Sequence, residues 1–499
     1  MWRLALAVVA LAALIACRPI RVETEPPEGI DASSEVAARA AGDSARRDTR
    51  QPGRIDAAPS TRYSFRVDAA LESLQGRVCI SGYDATELEP PIPDARSYGS
   101  VENRDANGCF LYTVDLTAAE EAWYGLASPH RLRDALVVSP DFWLWVPLGK
   151  PDRGAVTARF ELPPDLDAAV PWPRGLDGAY HVPASQFELA SQAVFGKLER
   201  RPLRVAGAVF DVVTLGGAWK DLESGVFAWL RRAAEAQRQL FGAFPVERAW
   251  ILMVRDARRK NIFGYALRGG GSTVVLLMPE TPTARMLSED WVAVHELTHL
   301  GVPEMPRRDA WLYEGLATYY TYVLRARAGM ISEERAWAHL FDGFERGRGS
   351  TTGDTLERDS ERMRKTHAYW RVYWAGAAFA LAADLELRKR GRSLDAALGE
   401  LVRCCLSNGE HAAPDLLTRL DAWLGVALFV PLAAEHLGRT GFPDTRNFAR
   451  FLGVRPSSAD ACHFDDSADG AALRRSITGR SPSGSSTPAE AGGNPASSR

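Results

Sequence analysis

Two histidines and two glutamates near the middle of the chain have the spacing of a metal-dependent hydrolytic site. His295, Glu296 and His299 form a His-Glu-x-x-His pattern, and Glu314 follows after fourteen intervening residues. Residues four apart on a helix lie one turn above each other, so both imidazoles can reach one metal ion at about 2.1 Å. Glu296 lies beside them and can accept a proton from a water molecule at the metal.

Sequence signals around this pattern favour helices over a chance match. Ser288 predicts the N-cap, and Gly301 with Pro303 predicts the end of a helix of about three turns. A second helix is predicted from near Asp309, and it carries Glu314 on an apolar stretch. Burying that carboxylate without a partner is costly, and a bound cation would supply the partner. The sequence therefore predicts a metal site.

These residues resemble the gluzincin metallopeptidases, in which a glutamate on the following helix is the third zinc ligand. Within that group, residues 373–388 and 391–395 are similar to the glycyl aminopeptidase family, and aminopeptidase N is a more distant relative. The likeness spans roughly residues 60–440 in domain order, and its specific motifs lie within about 290–396.

The resemblance implies a role for each of five side chains. One Zn²⁺ per chain would be bound by His295, His299 and Glu314. Glu296 would be the base, and Tyr373 would supply the hydroxyl that faces the developing oxyanion.

The periodicity of the chain predicts where its domains begin. Alternating apolar residues around Tyr63, Phe110 and Val156 predict antiparallel strands, and a helical period begins near residue 217. The predicted fold class is α+β multidomain, with an N-terminal β-sandwich, a thermolysin-like α/β catalytic domain and a C-terminal helical domain. The predicted boundaries are 1–16 for a lipoprotein signal peptide, 17–61 for a flexible tether, 62–216 for the sandwich, 217–325 for the catalytic domain, 326–465 for the helical domain and 466–499 for a disordered tail.

A glycine-rich turn precedes the predicted metal helix. Gly269, Gly270, Gly271 and Ser272 lead into a strand predicted at 273–278. Their spacing matches no nucleotide-binding fingerprint, and the turn enters a strand rather than a helix. Two interpretations stay open, a turn whose backbone pairs with a peptide substrate and a plain β-hairpin turn.

Other segments carry simpler predictions. Residues 220–240 are predicted as a helix and residues 250–254 as a strand. Residues 142–146 favour a buried strand over a carbohydrate-binding aromatic platform. Residues 345–358 are rich in glycine and threonine, which predicts a mobile loop. The basic run 388–390 is interpreted as the C-terminus of a helix, where cations complement the helix dipole.

The first residues have the pattern of an export signal. Residues 4–16 are apolar but too few to span a bilayer of about 30 Å. The sequence Leu-Ile-Ala-Cys ending at Cys17 resembles the bacterial lipobox, whose cysteine is lipidated, and an ordinary signal peptide is the alternative. Arg18 follows the cysteine and favours the outer membrane. The expected location is the bacterial cell envelope, with a lipid anchor in the membrane.

Composition limits the partners. The chain has 499 residues with 46% hydrophobic content, enough for the cores of two or three domains. Its net charge of −3 argues against a nucleic-acid partner. A peptide or protein substrate and a monomeric state are expected.

The remaining cysteines predict disulfides in an oxidising compartment. Cys79 and Cys109 are candidates for one bond within the sandwich. Cys462 can pair with either Cys404 or Cys405, which would leave one thiol over.

The expected activity is zinc-dependent hydrolysis of peptide bonds. One alternative is an aminopeptidase that prefers small N-terminal residues, and another is a non-catalytic envelope binding protein that keeps the fold. Aminopeptidases of the resembling group commonly carry an acidic residue just after the glycine-rich turn, where it holds the substrate's amino group. Residues 268–272 hold no carboxylate, and the next is Glu280. Because an unpaired buried ammonium is disfavoured, we expect cleavage of internal bonds and tolerance of blocked N-termini.

Overall fold

The computed structural model describes residues 58–479, apart from 103, 123–128, 152–153, 188–189, 218, 220–222 and 407–408. The predicted signal peptide and Cys17 lie outside the described residues. Three successive units follow one another along the chain: a β-sandwich, a mixed α/β unit and a largely helical unit. This arrangement confirms the predicted fold class. Within the described part of the chain, no helix is long and apolar enough to cross a membrane.

The described residues of the N-terminal unit form twelve strands and two short helices. In chain order the strands are β1 (Ser60–Val67), β2 (Ser73–Ser81), β3 (Leu88–Glu89), β4 (Gly99–Glu102), β5 (Phe110–Asp115), β6 (His130–Leu132), β7 (Ala135–Val138), β8 (Val146–Pro147), β9 (Ala155–Glu161), β10 (Asp167–Ala169), β11 (Tyr180–Pro183) and β12 (Ala193–Gly196). The helices are α1 (Leu116–Ala122) and α2 (Ala184–Phe187), with 3₁₀ turns at Pro93–Ser97 and Pro140–Phe142.

Ten of these strands form the two sheets of the sandwich. The six-stranded sheet has the order β11-β9-β1-β2-β5-β4, and the four-stranded sheet has the order β10-β12-β7-β6. Along β1 and β5 alternate side chains point into the space between the sheets, as the period-two pattern predicts. The shared core is aromatic, with Phe65, Trp143 and Phe195 all fully buried.

Residues 142–146 are buried as predicted, but they do not form the predicted strand. Only Val146 belongs to a strand, and Phe142 ends a 3₁₀ turn. The hydroxyl of Tyr112 donates to the carbonyl of Trp143 at 2.9 Å and accepts from the N–H of Trp145 at 3.3 Å. This side chain satisfies backbone groups that a neighbouring strand would otherwise have to pair.

One predicted disulfide forms and the other does not. Cys79 is bonded to Cys109, which ties β2 to the start of β5. Cys404 is bonded to its neighbour Cys405, so neither pairs with Cys462. The predicted bond to Cys462 is therefore wrong, since its buried thiol lies instead against the carbonyl of Glu334 at 3.2 Å.

The second unit is built on a five-stranded sheet in the order β13-β14-β15-β17-β16. Its elements are β13 (Glu199–Val205), β14 (Ala208–Leu215), α3 (Glu223–Phe241), β15 (Arg248–Arg255), β16 (Phe263–Leu267) and β17 (Thr273–Met278). The strands β14, β15 and β17 are parallel, and β16 runs antiparallel at the edge. Because β13 and β14 belong to this sheet, the unit starts at Glu199, before the predicted boundary at 216/217.

Both faces of the five-stranded sheet are covered. Ile251 and Met253 of β15 pack with the helices, whereas Trp250 and Leu252 pack against the four-stranded sheet of the sandwich. Burial on both faces explains the continuous apolar sequence of β15 and β17, which the sequence analysis placed correctly. The sandwich therefore supports the sheet that carries the site.

The rest of the chain is mainly helical. Its elements are α4 (Ala284–Glu289), α5 (Val292–His299), a 3₁₀ turn (Arg307–Asp309), α6 (Ala310–Arg327), α7 (Glu333–Gly349), α8 (Leu356–Thr366), α9 (Tyr369–Arg388), α10 (Leu394–Cys405), α11 (Ala413–Leu424), α12 (Phe429–Leu437), α13 (Thr445–Leu452), the hairpin β18 (Val454–Ser458) and β19 (Ala461–Phe464), and α14 (Ala471–Thr478). As interpreted from the basic run, α9 ends at Arg388, and Gly391 follows with φ of 69°.

Two predictions of irregular structure in this part are wrong for the residues that form helices. Most of residues 345–358 is helical, because α7 continues to Gly349 and α8 begins at Leu356. The predicted tail beyond 465 first forms α14, where the carbonyl of Ile477 accepts from Arg327 Nε at 2.7 Å. Residues 480–499 lie outside the described part.

Candidate metal centre

The helix with the His-Glu-x-x-His pattern is fixed at its first turn by Asp290. Its carboxylate accepts from the N–H groups of Val292 at 3.1 Å and Ala293 at 3.0 Å. Trp229 Nε1 donates to the same carboxylate at 3.1 Å. These bonds satisfy N–H groups that a helix end leaves unpaired. The predicted N-cap Ser288 lies instead in α4, and α5 has eight residues rather than three full turns.

A buried glutamine holds the middle of α5 against α3. Gln237 Nε2 donates to the carbonyl of Val294 at 3.1 Å and to Thr298 Oγ1 at 3.2 Å. All eight residues of α5 are buried. The helix therefore presents its two histidines from a fixed backbone.

Two glycines bring the helices α6 and α9 into backbone contact. A Cβ on Gly376 would lie 1.7 Å from the carbonyl oxygen of Trp311, and a Cβ on Gly315 would lie 2.4 Å from Gly376. Only glycine allows so close an approach. Because Glu314 precedes Gly315 and Tyr373 is one turn before Gly376, this contact brings those two side chains to the same site.

The predicted ligand atoms form a nearly equilateral triangle. His295 Nε2 lies 3.2 Å from Glu314 Oε2 and 3.2 Å from His299 Nε2, and His299 Nε2 lies 3.4 Å from the same carboxylate oxygen. Tetrahedral zinc with bonds of about 2.0–2.1 Å separates its ligand atoms by about 3.3–3.4 Å. The three side chains converge on one point with the spacing and the donor types that zinc requires.

A threonine on α6 sets the orientation of His295. Thr321 Oγ1 donates to the carbonyl of Ala317 at 2.7 Å, so its oxygen can accept from His295 Nδ1 at 3.2 Å. The proton on Nδ1 leaves the Nε2 lone pair directed at the ligand triangle. His299 is held differently, because its ring lies face to face with the ring of Tyr313, with centroids 4.2 Å apart.

Glu314 is the anionic member of the triangle. Burial opposes its ionisation, but the charges and hydrogen bonds of His299 and His295 outweigh burial and hold the pKa of Glu314 well below its usual range. A carboxylate that stays ionised at neutral pH can serve as a metal ligand.

Glu296 lies next to the triangle and outside it. Its side chain is buried, and burial together with the nearby Glu314 charge raises the pKa of Glu296 to about 7, although His295 acts in the opposite direction. A carboxyl group with this pKa can both accept and return a proton near neutral pH.

Tyr373 reaches the same site from α9. Its ring lies nearly parallel to that of His295 at a centroid distance of 6.5 Å, and its hydroxyl lies beside the carboxylate of Glu314. Burial, followed by the charges of Glu314 and Glu296, raises the pKa of Tyr373 well above its usual value. The phenol is therefore a neutral donor. All five side chains that the sequence analysis named for the metal and the chemistry lie together.

Comparisons with known proteins agree with this architecture. No protein-family profile matches the chain, and no curated protein matches its sequence. An aminopeptidase N family protein from Idiomarina loihiensis matches with 17% identity and a TM-score of 0.59, over 79% of this chain and 78% of that one. A mutant M1 zinc metallopeptidase from Deinococcus radiodurans, bound to a Tyr-Ser-Ala substrate, matches with 17% identity and a TM-score of 0.50, over 77% and 94%.

The chain has the fold of an M1 zinc metallopeptidase. This likeness confirms, at the level of architecture, the resemblance that the motif predicted.

Within this M1 fold the glycine-rich turn joins β16 to β17 as a hairpin. The N–H of Gly269 donates to the carbonyl of Ala190 at 2.9 Å, and a Cβ on Gly270 would lie 2.1 Å from the ring of Trp172. The turn thus packs against the sandwich, which supports the hairpin interpretation. The predicted peptide pairing at Gly269 to Ser272 gains no support from these contacts, because the backbone of the turn is packed against the sandwich and the strand at this edge of the sheet is β16.

The sequence analysis missed four residues that support the candidate metal site. Thr321 orients one histidine, Tyr313 packs on the other, Arg268 binds the end of α5, and Gly264 of β16 lies directly over Glu296. Of these four, only Thr321 could have been predicted from the sequence, because it lies seven residues after Glu314 and therefore on the same face of the helix.

Proposed function

We propose that this protein is a zinc-dependent peptidase. The observation that carries the proposal is the ligand triangle of His295, His299 and Glu314, whose edges of 3.2–3.4 Å fit one tetrahedral zinc ion. When bound there, zinc would polarise a carbonyl oxygen and make a water molecule more acidic. The M1 fold independently supports this choice of metal and reaction.

The protein's own side chains would handle the protons. Glu296 would accept a proton from the attacking water and deliver it to the nitrogen of the leaving amine, and its pKa of about 7 suits both steps. Tyr373 would donate its hydroxyl hydrogen to the oxygen on which negative charge develops. Its neutral state at physiological pH, a consequence of burial, keeps that hydrogen available.

The strand β16 is the natural place for a peptide substrate. It forms the edge of the five-stranded sheet, and its residues are all half-buried. An extended peptide can add to such an edge through main-chain hydrogen bonds. A substrate bound along β16 would pass directly over Glu296, because Gly264 contacts that side chain. The Deinococcus radiodurans structure holds a Tyr-Ser-Ala substrate, which is consistent with a peptide as the ligand class.

The test of this function is Glu296→Gln. The amide keeps the shape of the side chain but cannot accept a proton, so peptide turnover should fall at least about a hundredfold. Zinc content, measured by metal analysis of the same sample, should stay at one per chain. The matched control is Glu289→Gln, an exposed glutamate on α4, which should leave turnover unchanged. Near-normal turnover by Glu296→Gln would overturn the mechanism.

We also propose that the protein is exported and anchored in the bacterial envelope through a lipid on Cys17. The proposal rests on the apolar segment 4–16 and on the lipobox-like sequence that ends at Cys17. A lipid chain contributes about 0.8 kcal/mol per buried methylene. Cys17→Ser should therefore move the processed protein from the membrane fraction to the soluble fraction. Tight membrane association of that variant would contradict the lipid anchor.

A further inference from the structure

The two histidines of the ligand triangle are supported in different ways. His295 Nδ1 has Thr321 as its hydrogen-bond partner. His299 Nδ1 is buried and has no partner among the described residues. A metal-binding imidazole usually donates its second N–H to an acceptor that fixes the ring. The orientation of His299 must therefore depend on packing.

The packing partner of His299 is Tyr313. The two rings have centroids 4.2 Å apart and planes inclined by 21°, so they lie face to face. An imidazole that donates its lone pair to a cation gains partial positive charge. The electron-rich face of a phenol attracts such a charge. The stack therefore suits a metal-bound imidazole better than a free one.

The hydroxyl of Tyr313 is held by Glu304, and Glu304 in turn pairs with Arg268. The hydroxyl donates to Glu304 Oε2 at 3.3 Å, and Arg268 Nε lies 3.9 Å from the same oxygen. The guanidinium of Arg268 also donates to the carbonyls of His299 at 2.5 Å and Val302 at 2.8 Å. The contacts form a closed ring from His299 through Tyr313, Glu304 and Arg268 back to His299.

This closed set of contacts among His299, Tyr313, Glu304 and Arg268 has two physical effects. Arg268 holds the backbone of His299, and Tyr313 holds its side chain. Together these contacts fix the position of the Nε2 atom. A carboxylate that accepts from the phenol hydroxyl also increases the electron density of the phenol ring. Glu304 thereby strengthens the attraction between Tyr313 and a metal-bound His299.

We propose that Tyr313, held by Glu304 and Arg268, is a positioning residue that orients His299 for zinc binding. The proposal rests on the metal site of the proposed function and adds residues that lie outside the ligand set. A purely structural role for Tyr313 would change the stability of the protein and leave its zinc affinity unaltered. The two roles are therefore separable by measuring zinc affinity on folded protein.

The experiment compares four variants of the full chain with the wild type, using competition with a chelator for zinc and the absorption spectrum of the cobalt(II) form. Tyr313→Leu removes the aromatic ring, and the zinc affinity of this variant should fall about tenfold to a hundredfold. Tyr313→Phe keeps the ring and removes the hydroxyl, and Glu304→Gln removes the charge. Each should lower zinc affinity by about threefold to tenfold and shift the cobalt(II) spectrum.

The matched control is Tyr322→Leu. The ring of Tyr322 is stacked on His339, with centroids 5.2 Å apart, and His339 is not one of the three proposed ligands. This variant loses an equivalent tyrosine–histidine stack, and its zinc affinity should equal that of the wild type. An equal fall in affinity for Tyr322→Leu would show that general loosening, rather than the orientation of His299, explains the effect.

The outcomes separate this proposal from the proposed function. A wild-type protein that binds no zinc would overturn the metal site itself. A wild type that binds zinc, together with folded Tyr313→Leu of unchanged affinity, would overturn only the role of Tyr313. If Tyr313→Leu does not fold, Tyr313→Phe and Glu304→Gln decide, and wild-type affinity and spectra in both would overturn the proposal.

Discussion

Gly264→Ala should damage catalysis without removing the metal. Gly264 lies on β16, and an added Cβ would be 2.7 Å from Cγ of Glu296, 2.9 Å from Cγ1 of Val292 and 3.2 Å from Cδ2 of Leu276. Carbon atoms pack best at about 3.5–4.0 Å. Since Glu296 and Val292 both belong to the fixed helix α5, the strand and the base must separate by about 1 Å.

The size of the effect follows from that displacement. A misplacement of about 1 Å in a catalytic group can reduce the rate about a hundredfold. Extra atoms in a packed region cost about 1–3 kcal/mol of stability. The φ angle of Gly264 lies outside the left-handed region, so alanine adds no backbone strain. We therefore expect kcat to fall about a hundredfold in a protein that still folds and still contains zinc.

The assay combines steady-state hydrolysis of a peptide, metal analysis and urea unfolding. Gly349→Ala is the matched control, because a Cβ there meets no atom within 4 Å. It should leave all three measurements unchanged. A folded Gly264→Ala protein with wild-type kcat would refute the idea that β16 sets the position of Glu296.

Three further predictions address the metal, the substrate and pH. Glu314→Ala leaves two histidines in the site, so zinc affinity measured by chelator competition should fall, and an unchanged affinity would mean that another residue is the ligand. Matched peptides with free and acetylated N-termini should both be cut at internal bonds, whereas removal of single residues from the free peptide alone would identify an aminopeptidase. His436 is buried, and burial followed by the charge of Arg439 lowers its pKa to about 4 from an unfolded value of 6.5. The unfolded chain therefore binds a proton at His436 that the native protein does not as pH falls from about 6.5 to 4, and this group alone lowers native stability by about 3 kcal/mol over that range. Urea unfolding of metal-free protein at pH 7 and pH 4 should show that the free energy of unfolding depends less on pH in His436→Gln than in the wild type. An equal pH dependence in the two proteins would contradict the lowered pKa of His436.

The sequence was sufficient where the chemistry depends on local spacing. His295, Glu296 and His299 share one helix, and Glu314 lies on the next, as their spacing predicted, although the predicted N-cap Ser288 was wrong. Tyr373 lies far away in the chain, and only a resemblance to known peptidases pointed to it.

The sequence was insufficient where distant residues decide the structure. Glycines near residue 345 predicted a loop, yet a Cβ on Gly347 would lie 2.4 Å from the ring of Phe442 and 2.7 Å from Cβ of Trp374. Gly347 makes room for a large side chain from α9 and for another from the segment between α12 and α13. Likewise β14 joins the catalytic sheet because it pairs with β15, a contact that its own alternating pattern cannot distinguish from pairing within the sandwich.

The contact between Gly315 and Gly376 has a mechanical consequence. Two crossing helices usually contact each other through side chains, which can adjust when one helix shifts by fractions of an ångström. Here the main chains of α6 and α9 touch directly. The proposed ligand Glu314 and Tyr373 therefore lie on two helices whose backbones are in contact, and the two side chains should move together. A change in the distance between Glu314 and Tyr373 would therefore require one of the two helices to bend, because neither can slide past the other at this contact.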